Sequence, residues 1–191
     1  MNKVKVVALW TGSLFLATGA LAQPRAIDTA KSTMTVRVYK AGLLSGLGHD
    51  HQISAPLVSG TVDTASRRVE LRVNARTMQV VDPGVSDKDR AEIQSNMLGP
   101  EVLDSAQYSE IVFQSTSAAA AGAGAWKLNG SLTVHGQTHA VTVDVKEAAG
   151  HYTGMSRFRQ SDFGIKPIKV AGGAIRVKDE IQIEFDIQLA R

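Results

Sequence analysis

The chain has 191 residues and no cysteine, which excludes disulfides, thiol nucleophiles, iron–sulfur clusters and cysteine-held zinc. Apolar residues make up 43% and charged residues 20%, so it can bury a core and is not a disordered chain. Its 21 basic residues against 18 acidic ones give +3, which hints at nucleic acid or an anionic membrane only if it survives loss of any targeting segment.

It survives poorly. Lys3 and Lys5 precede an apolar run from Val6 to Ala22, and Ala20-Leu21-Ala22 places small residues around a cleavage point. This is the pattern of a secretory signal peptide over residues 1–22, cleaved after Ala22, and it predicts a periplasmic protein. The run is broken by Thr11-Gly12-Ser13 and Thr18-Gly19, and it is shorter than the about 20 residues a spanning helix needs. Cleavage removes Lys3 and Lys5, so the 21 basic residues fall to 19 against 18 acidic over residues 23–191. A nucleic-acid partner, which requires a concentrated basic face, is not expected.

From Met34 onward, apolar and polar residues alternate with period two, as in strands with one wet and one buried face. Met34, Val36 and Val38 form the first run. Val58, Gly60 and Val62 form the second, and Val69, Leu71, Val73 and Ala75 the third. Residues 86–98 break the alternation. Ser86 can cap a helix there, Asp87 and Asp89 suit its first turn, and Gly99-Pro100 stops it. Ile111 and Phe113 begin another strand, and Ala118–Ala125 reads as a small-residue hairpin loop. Trp126, Leu128, Gly130, Leu132 and Val134 then share one face. His-Gly-Gln-Thr-His is short enough for a hairpin loop before Val141, Val143 and Val145. Tyr152 through Phe158 and the strictly alternating Ile181, Ile183, Phe185, Ile187 and Leu189 complete about eight strands.

Many strands and one inserted helix around a single core suggest an all-β sandwich or closed barrel. Nine residues from Ile181 to Leu189 at about 3.3 Å each span roughly 30 Å, which favours an extended antiparallel barrel. A barrel of about eight strands can enclose one small ligand. The candidate lumen residues are Val36, Val38, Leu71, Phe113, Trp126 and Leu128, with Leu132, Phe158, Ile183, Phe185 and Ile187. Periodicity does not distinguish such a lumen from a solid core.

The histidines carry little catalytic signal. His49 and His51 flank Asp50 in Gly-Leu-Gly-His-Asp-His, and in an extended chain they share a face. Three readings stand: a polar turn satisfied locally, contact with a ligand head group at the barrel mouth, or a divalent metal site that needs a third ligand. His135 and His139 cross a turn, so the helical zinc-protease geometry does not apply, and a structural hairpin role is expected. Arg157, Arg159 and Asp162 read as a solvated face with an exposed ion pair, or alternatively as an anion contact near the barrel rim. Ser45, Ser54 and Ser59 form no nucleophile elbow.

Four stretches together resemble the YceI-like family of exported bacterial lipid-binding proteins. They are the strand pair from Ser59 to Asp82; the helix with Arg90 followed by Phe113–Thr116; the hairpin with Gly130, Leu132, Thr133, His135, Gly136 and Thr138; and Asp162-Phe163-Gly164. The early stretch departs from the commoner pattern and looks like a subgroup with Gly-His-Asp-His. The resemblance covers most of residues 27–190. It implies a lipocalin-like barrel that holds a polyisoprenoid or related long-chain amphiphile, with no catalytic residue and no cofactor. It adds Arg90 to His49 and His51 as a candidate for the head group. The expectation is therefore a non-enzymatic periplasmic lipid carrier, monomer or homodimer, for a polyprenyl, quinone-like or acyl lipid. The alternatives are a metal-binding protein using His49 and His51, or an accessory module for an inner-membrane cytochrome b-type redox protein.

Overall fold

The computed structural model describes residues 23–42, 46 and 48–190; the expected signal peptide lies outside them. Twelve strands pair antiparallel in one sheet. They are β1 (Arg25–Ala26), β2 (Thr33–Ala41), β3 (His51–Ser54), β4 (Leu57–Asp63), β5 (Arg68–Asn74), β6 (Gln79–Val80), β7 (Glu110–Gly122), β8 (Ala125–Val134), β9 (Gln137–Ala148), β10 (His151–Arg159), β11 (Lys169–Val170) and β12 (Ile175–Gln188). The one α-helix among the described residues, α1, spans Asp87–Leu98 between β6 and β7.

The short strands are pieces of longer bent ones, and this brings the twelve close to the expected eight. β2 pairs along β12 from Ala41↔Arg176 to Thr33↔Asp186, and Ile27 then bridges Leu189, so β1 and β2 follow one edge. β3 lies beside β2 while β4 lies beside β1, with the break at Ala55-Pro56. β5 lies beside β4 and β6 beside β3, on either side of a 3-10 turn at Ala75–Thr77. β7, β8, β9, β10 and β12 follow in sequence, and β12 returns to β2. The ring is thus a closed barrel of eight walls. β11 is a short addition on β12.

Three local expectations change. Residues 118–122 belong to β7, not to a loop: Ala118 pairs with Leu128 and Ala120 with Trp126, and the turn shrinks to Ala123-Gly124. Alanine has low strand propensity, but the ladder of β8 supplies the partner groups that order it. Val58 does not share the inward face with Gly60 and Val62. A register shift between Leu57 and Ser59 inserts an extra residue, which leaves Val58 60% exposed. The β8–β9 loop is tighter than the five-residue stretch read from the sequence. His135 and Gly136 both adopt positive φ, at 50° and 70°, as in a two-residue primed turn. A side chain at Gly136 would also strike the Tyr108 ring, 2.6 Å from where its β-carbon would sit.

The helix closes one end of the barrel. The Ser86 hydroxyl accepts from the Asp89 N–H at 3.2 Å and caps it. The Gln94 side chain replaces a missing neighbour for β6, accepting from the Val80 N–H at 2.8 Å and donating to the Met78 carbonyl at 2.9 Å. Met97, Leu103, Phe163 and Ile165 are buried at this base. Phe163 is only 1% exposed and packs edge-on against Phe158 and His139. The His135 imidazole Nδ1 lies 3.1 Å from the Phe163 carbonyl, which ties the β8–β9 turn to the same plug.

Candidate functional site

Above this plug the barrel encloses a cavity of about 330 Å³, within the range of small-molecule sites. Its wall comes from the inward half of the alternation. Val36 and Val38 on β2, Leu71 on β5 and Phe113 on β7 line it, as do Trp126, Leu128 and Leu132 on β8. Phe158 on β10 and Ile183, Phe185 and Ile187 on β12 complete the eleven residues singled out by parity. The base residues Met97, Leu103 and Phe163 join them, and so do Val141, Val143 and Val145 on β9.

Three inward glycines let large neighbours lie flat on the wall. A β-carbon at Gly130 would sit 2.5 Å from the Phe113 ring, one at Gly60 2.8 Å from Leu71, and one at Gly154 2.7 Å from Phe185. Aromatic and aliphatic side chains thus cover backbone that would otherwise face the lumen. The two polar side chains deeper in the wall are already satisfied. The Ser156 hydroxyl donates to the Thr142 carbonyl at 2.8 Å, and the Gln160 amide donates to the Lys178 carbonyl at 2.7 Å. A guest at this depth meets carbon surface and no polar group in need of a partner.

Polar lining collects at the opposite end, around the β4–β5 and β9–β10 turns. Asp63, Thr64, Arg67 and Glu147 border the cavity there, beside Trp126 and Tyr152. The Arg67 guanidinium stacks on Trp126, 5.4 Å from the ring centroid. The Tyr152 hydroxyl donates to the Glu147 carboxylate at 3.5 Å. Burial first, and then the Glu147 charge, raises the Tyr152 pKa above its ordinary value. Asp63 is occupied by its own turn, accepting from the Ala65 and Ser66 N–H groups and the Ser66 hydroxyl. Those bonds, the Ser66 hydroxyl foremost, lower its pKa.

The sequence reading did not single out this rim. Arg67 lies in the β4–β5 turn and Glu147 near the end of β9, and nothing in their local sequence marks them as lining a cavity. The residues it did single out for a head group sit elsewhere. His49, His51 and Arg90 do not border the cavity. His49 is exposed. His51 points its Nδ1 at the buried Asp82 carboxylate, 2.6 Å away, and Asp82 also accepts from the Gln52 N–H at 2.6 Å. Asp82 is 2% exposed, so this pair fastens β3 to the chain leaving β6. The Arg90 guanidinium donates to the Val85 carbonyl at 2.9 Å and meets Asp87 at 3.3 Å, within the first turn of α1. Among the described residues, no three His, Asp or Glu side chains converge as a metal site would require.

An eight-walled antiparallel barrel, plugged at one end and lined with carbon along its length, defines a lipocalin-like barrel fold. The match to the YceI-like domain spans residues 26–189, and the chain belongs to that family. A UPF0312 protein of Shewanella oneidensis is 29% identical over 178 residues, covering 87% of this chain and 89% of the relative. A UPF0312 protein of Vibrio parahaemolyticus is 27% identical over 185 residues, covering 90% and 92%. Among solved structures, BcnA of Burkholderia cenocepacia aligns with a TM-score of 0.67 at 19% identity, over 86% of this chain and 99% of BcnA. The YceI protein of Campylobacter jejuni aligns with a TM-score of 0.52 at 13% identity, over 73% and 81%. At these identities the structural likeness establishes the fold.

Proposed function

We propose that this protein is a non-enzymatic carrier of a long-chain lipid, polyisoprenoid or acyl, that works in the periplasm. One observation carries the reading: the carbon-lined lumen runs unbroken along the wall. On β8 alone Trp126, Leu128, Leu132 and Val134 face it, and the eight residue steps from first to last at about 3.3 Å span roughly 26 Å. Such a channel suits an extended chain better than a compact ring. Each methylene moved from water into it contributes about 0.8 kcal/mol, so affinity comes from tail length. The polar groups at the rim, Arg67 and Glu147, are placed to meet a head group left at the mouth. Membership of a family known for binding polyisoprenoids supports the same reading, and the signal-like first 22 residues support export.

The test is extraction of the protein purified natively from a periplasmic fraction, followed by mass spectrometry. The expected result is one long-chain lipid per barrel. Trp126 is the one tryptophan from residue 23 onward, so quenching of its emission reports binding of an added polyprenyl quinone. Protein that is empty on extraction and shows no quenching with quinone or fatty acid overturns the proposal.

A further inference from the structure

Beyond the last ladder pairs of β10 and β3, the sheet continues as a small ribbon. The start of β12 carries it, with β11 on one edge and the end of β2 on the other. This ribbon and its approach are strongly basic. From Arg157 to Lys178 the chain holds six basic side chains and one acidic one, Asp162, although the chain from residue 23 onward is nearly neutral. Lys166, Lys169, Arg176 and Lys178 are all exposed, and among the described residues none has a carboxylate at ion-pair distance. The nearby Asp179 carboxylate is turned aside, holding the Ser161 N–H and hydroxyl.

The arrangement is locally unfavourable. Lys169 and Arg176 are direct register partners across the β11–β12 ladder. Their β-carbons are about 4.5–5.5 Å apart on one face, where like charges repel. Lys178, two residues along β12, adds a third cation to that face and lies 5.7 Å from the Tyr39 ring centroid. Ile168, exposed at 37%, lies opposite Val177 and so on the other face of the ribbon, which leaves the cationic face without an apolar neighbour from β11. A cluster of unpaired cations of this kind is drawn to the phosphates of anionic lipid surfaces. A repulsion left unrelieved within the fold is relieved by an anionic surface.

We propose that the β11–β12 ribbon docks the protein on anionic lipid bilayers, with Lys169, Arg176 and Lys178 facing phosphates. Each such cation is worth about 1 kcal/mol near an anionic membrane, or roughly fivefold in partition. The docking does not depend on what the lumen carries.

Co-flotation of the chain from residue 23 with vesicles tests it. The expected result is binding to phosphatidylcholine mixed with phosphatidylglycerol, no binding to phosphatidylcholine alone, and release by salt. Lys169→Gln with Arg176→Gln weakens binding about 25-fold. The charge-matched pair Lys31→Gln with Lys146→Gln, near the rim, leaves it within twofold. Thermal melting and Trp126 emission verify that all variants are folded. Equal binding to both vesicle types, equal loss in both pairs, or no flotation alongside capture of an acidic protein by the same ribbon would each overturn the proposal.

Discussion

Replacing Val143 with phenylalanine separates a container from a solid core. Val143 is buried on β9, faces the lumen and pairs directly with Leu128. In a close-packed interior the larger side chain forces its neighbours off their rotamers, at about 1–3 kcal/mol. For a domain of this size that lowers Tm by roughly 2–12 °C. In an open cavity of about 330 Å³ the ring finds room, and the melting temperature holds or rises. The cost then appears in binding. From the level of Leu128 to that of Val134, six residue steps or about 20 Å of lumen fall below the new ring. Denying a tail even three methylenes removes about 2.4 kcal/mol, roughly 50-fold in affinity. Thermal melting of the lipid-free variant and Trp126 quenching by a long-chain quinone give the two readouts. A Tm drop of several degrees with undiminished quenching would refute the container and restore the packed core.

Asp82→Ala leaves the Gln52 N–H and the His51 imidazole without their carboxylate, so stability falls by about 2–4 kcal/mol in urea titration. Lipid quenching stays normal in the folded fraction, because the pair does not border the lumen. Gly154→Ala drives a β-carbon into the Asp144 carbonyl, a backbone clash that costs about 3 kcal/mol or more and shows as poor yield of folded protein. The Glu184 carboxylate titrates below its ordinary value of 4.5, chiefly because Arg37 donates to it. Its folded pKa is depressed, so this contribution is whole above pH 4.5 and drains away as pH falls below it. Both side chains are more than a third exposed, so the effect is small. In Arg37→Gln, the acid limb of a stability–pH curve flattens while the curve near neutrality shifts little.

The inward face of the barrel was legible because strand side chains alternate with period two. That rule places Leu71 and Ile183 on the lumen side without any knowledge of their partners. It fails where the backbone departs from the period: the bulge at Leu57–Ser59 turns Val58 outward, and nothing in Leu-Val-Ser-Gly marks it. Ala118–Ala125 reads as a loop because alanine lacks the branched carbons that favour strands, yet pairing with β8 draws residues 118–122 into β7. The rim was illegible for a different reason. Which turns gather at the open end depends on how the strands are staggered. His49, His51 and Arg90 were sensible polar candidates whose end of the barrel is the plugged one, and only the packing of Met97, Leu103 and Phe163 shows this.

The closure of the ring by β2 and β12 has a consequence for when the barrel can form. Arg37 and Glu184, bonded across that seam, are 147 residues apart in the chain. The second strand must wait for the last before it gains its neighbour, while the hairpins from β7 to β10 can assemble as soon as they emerge. Contacts this distant in sequence are slow to form. Until the final strand arrives, β2 presents an unpaired edge and the apolar wall faces water. Until then the lumen stands open along its side, and once the seam shuts the rim is the way in.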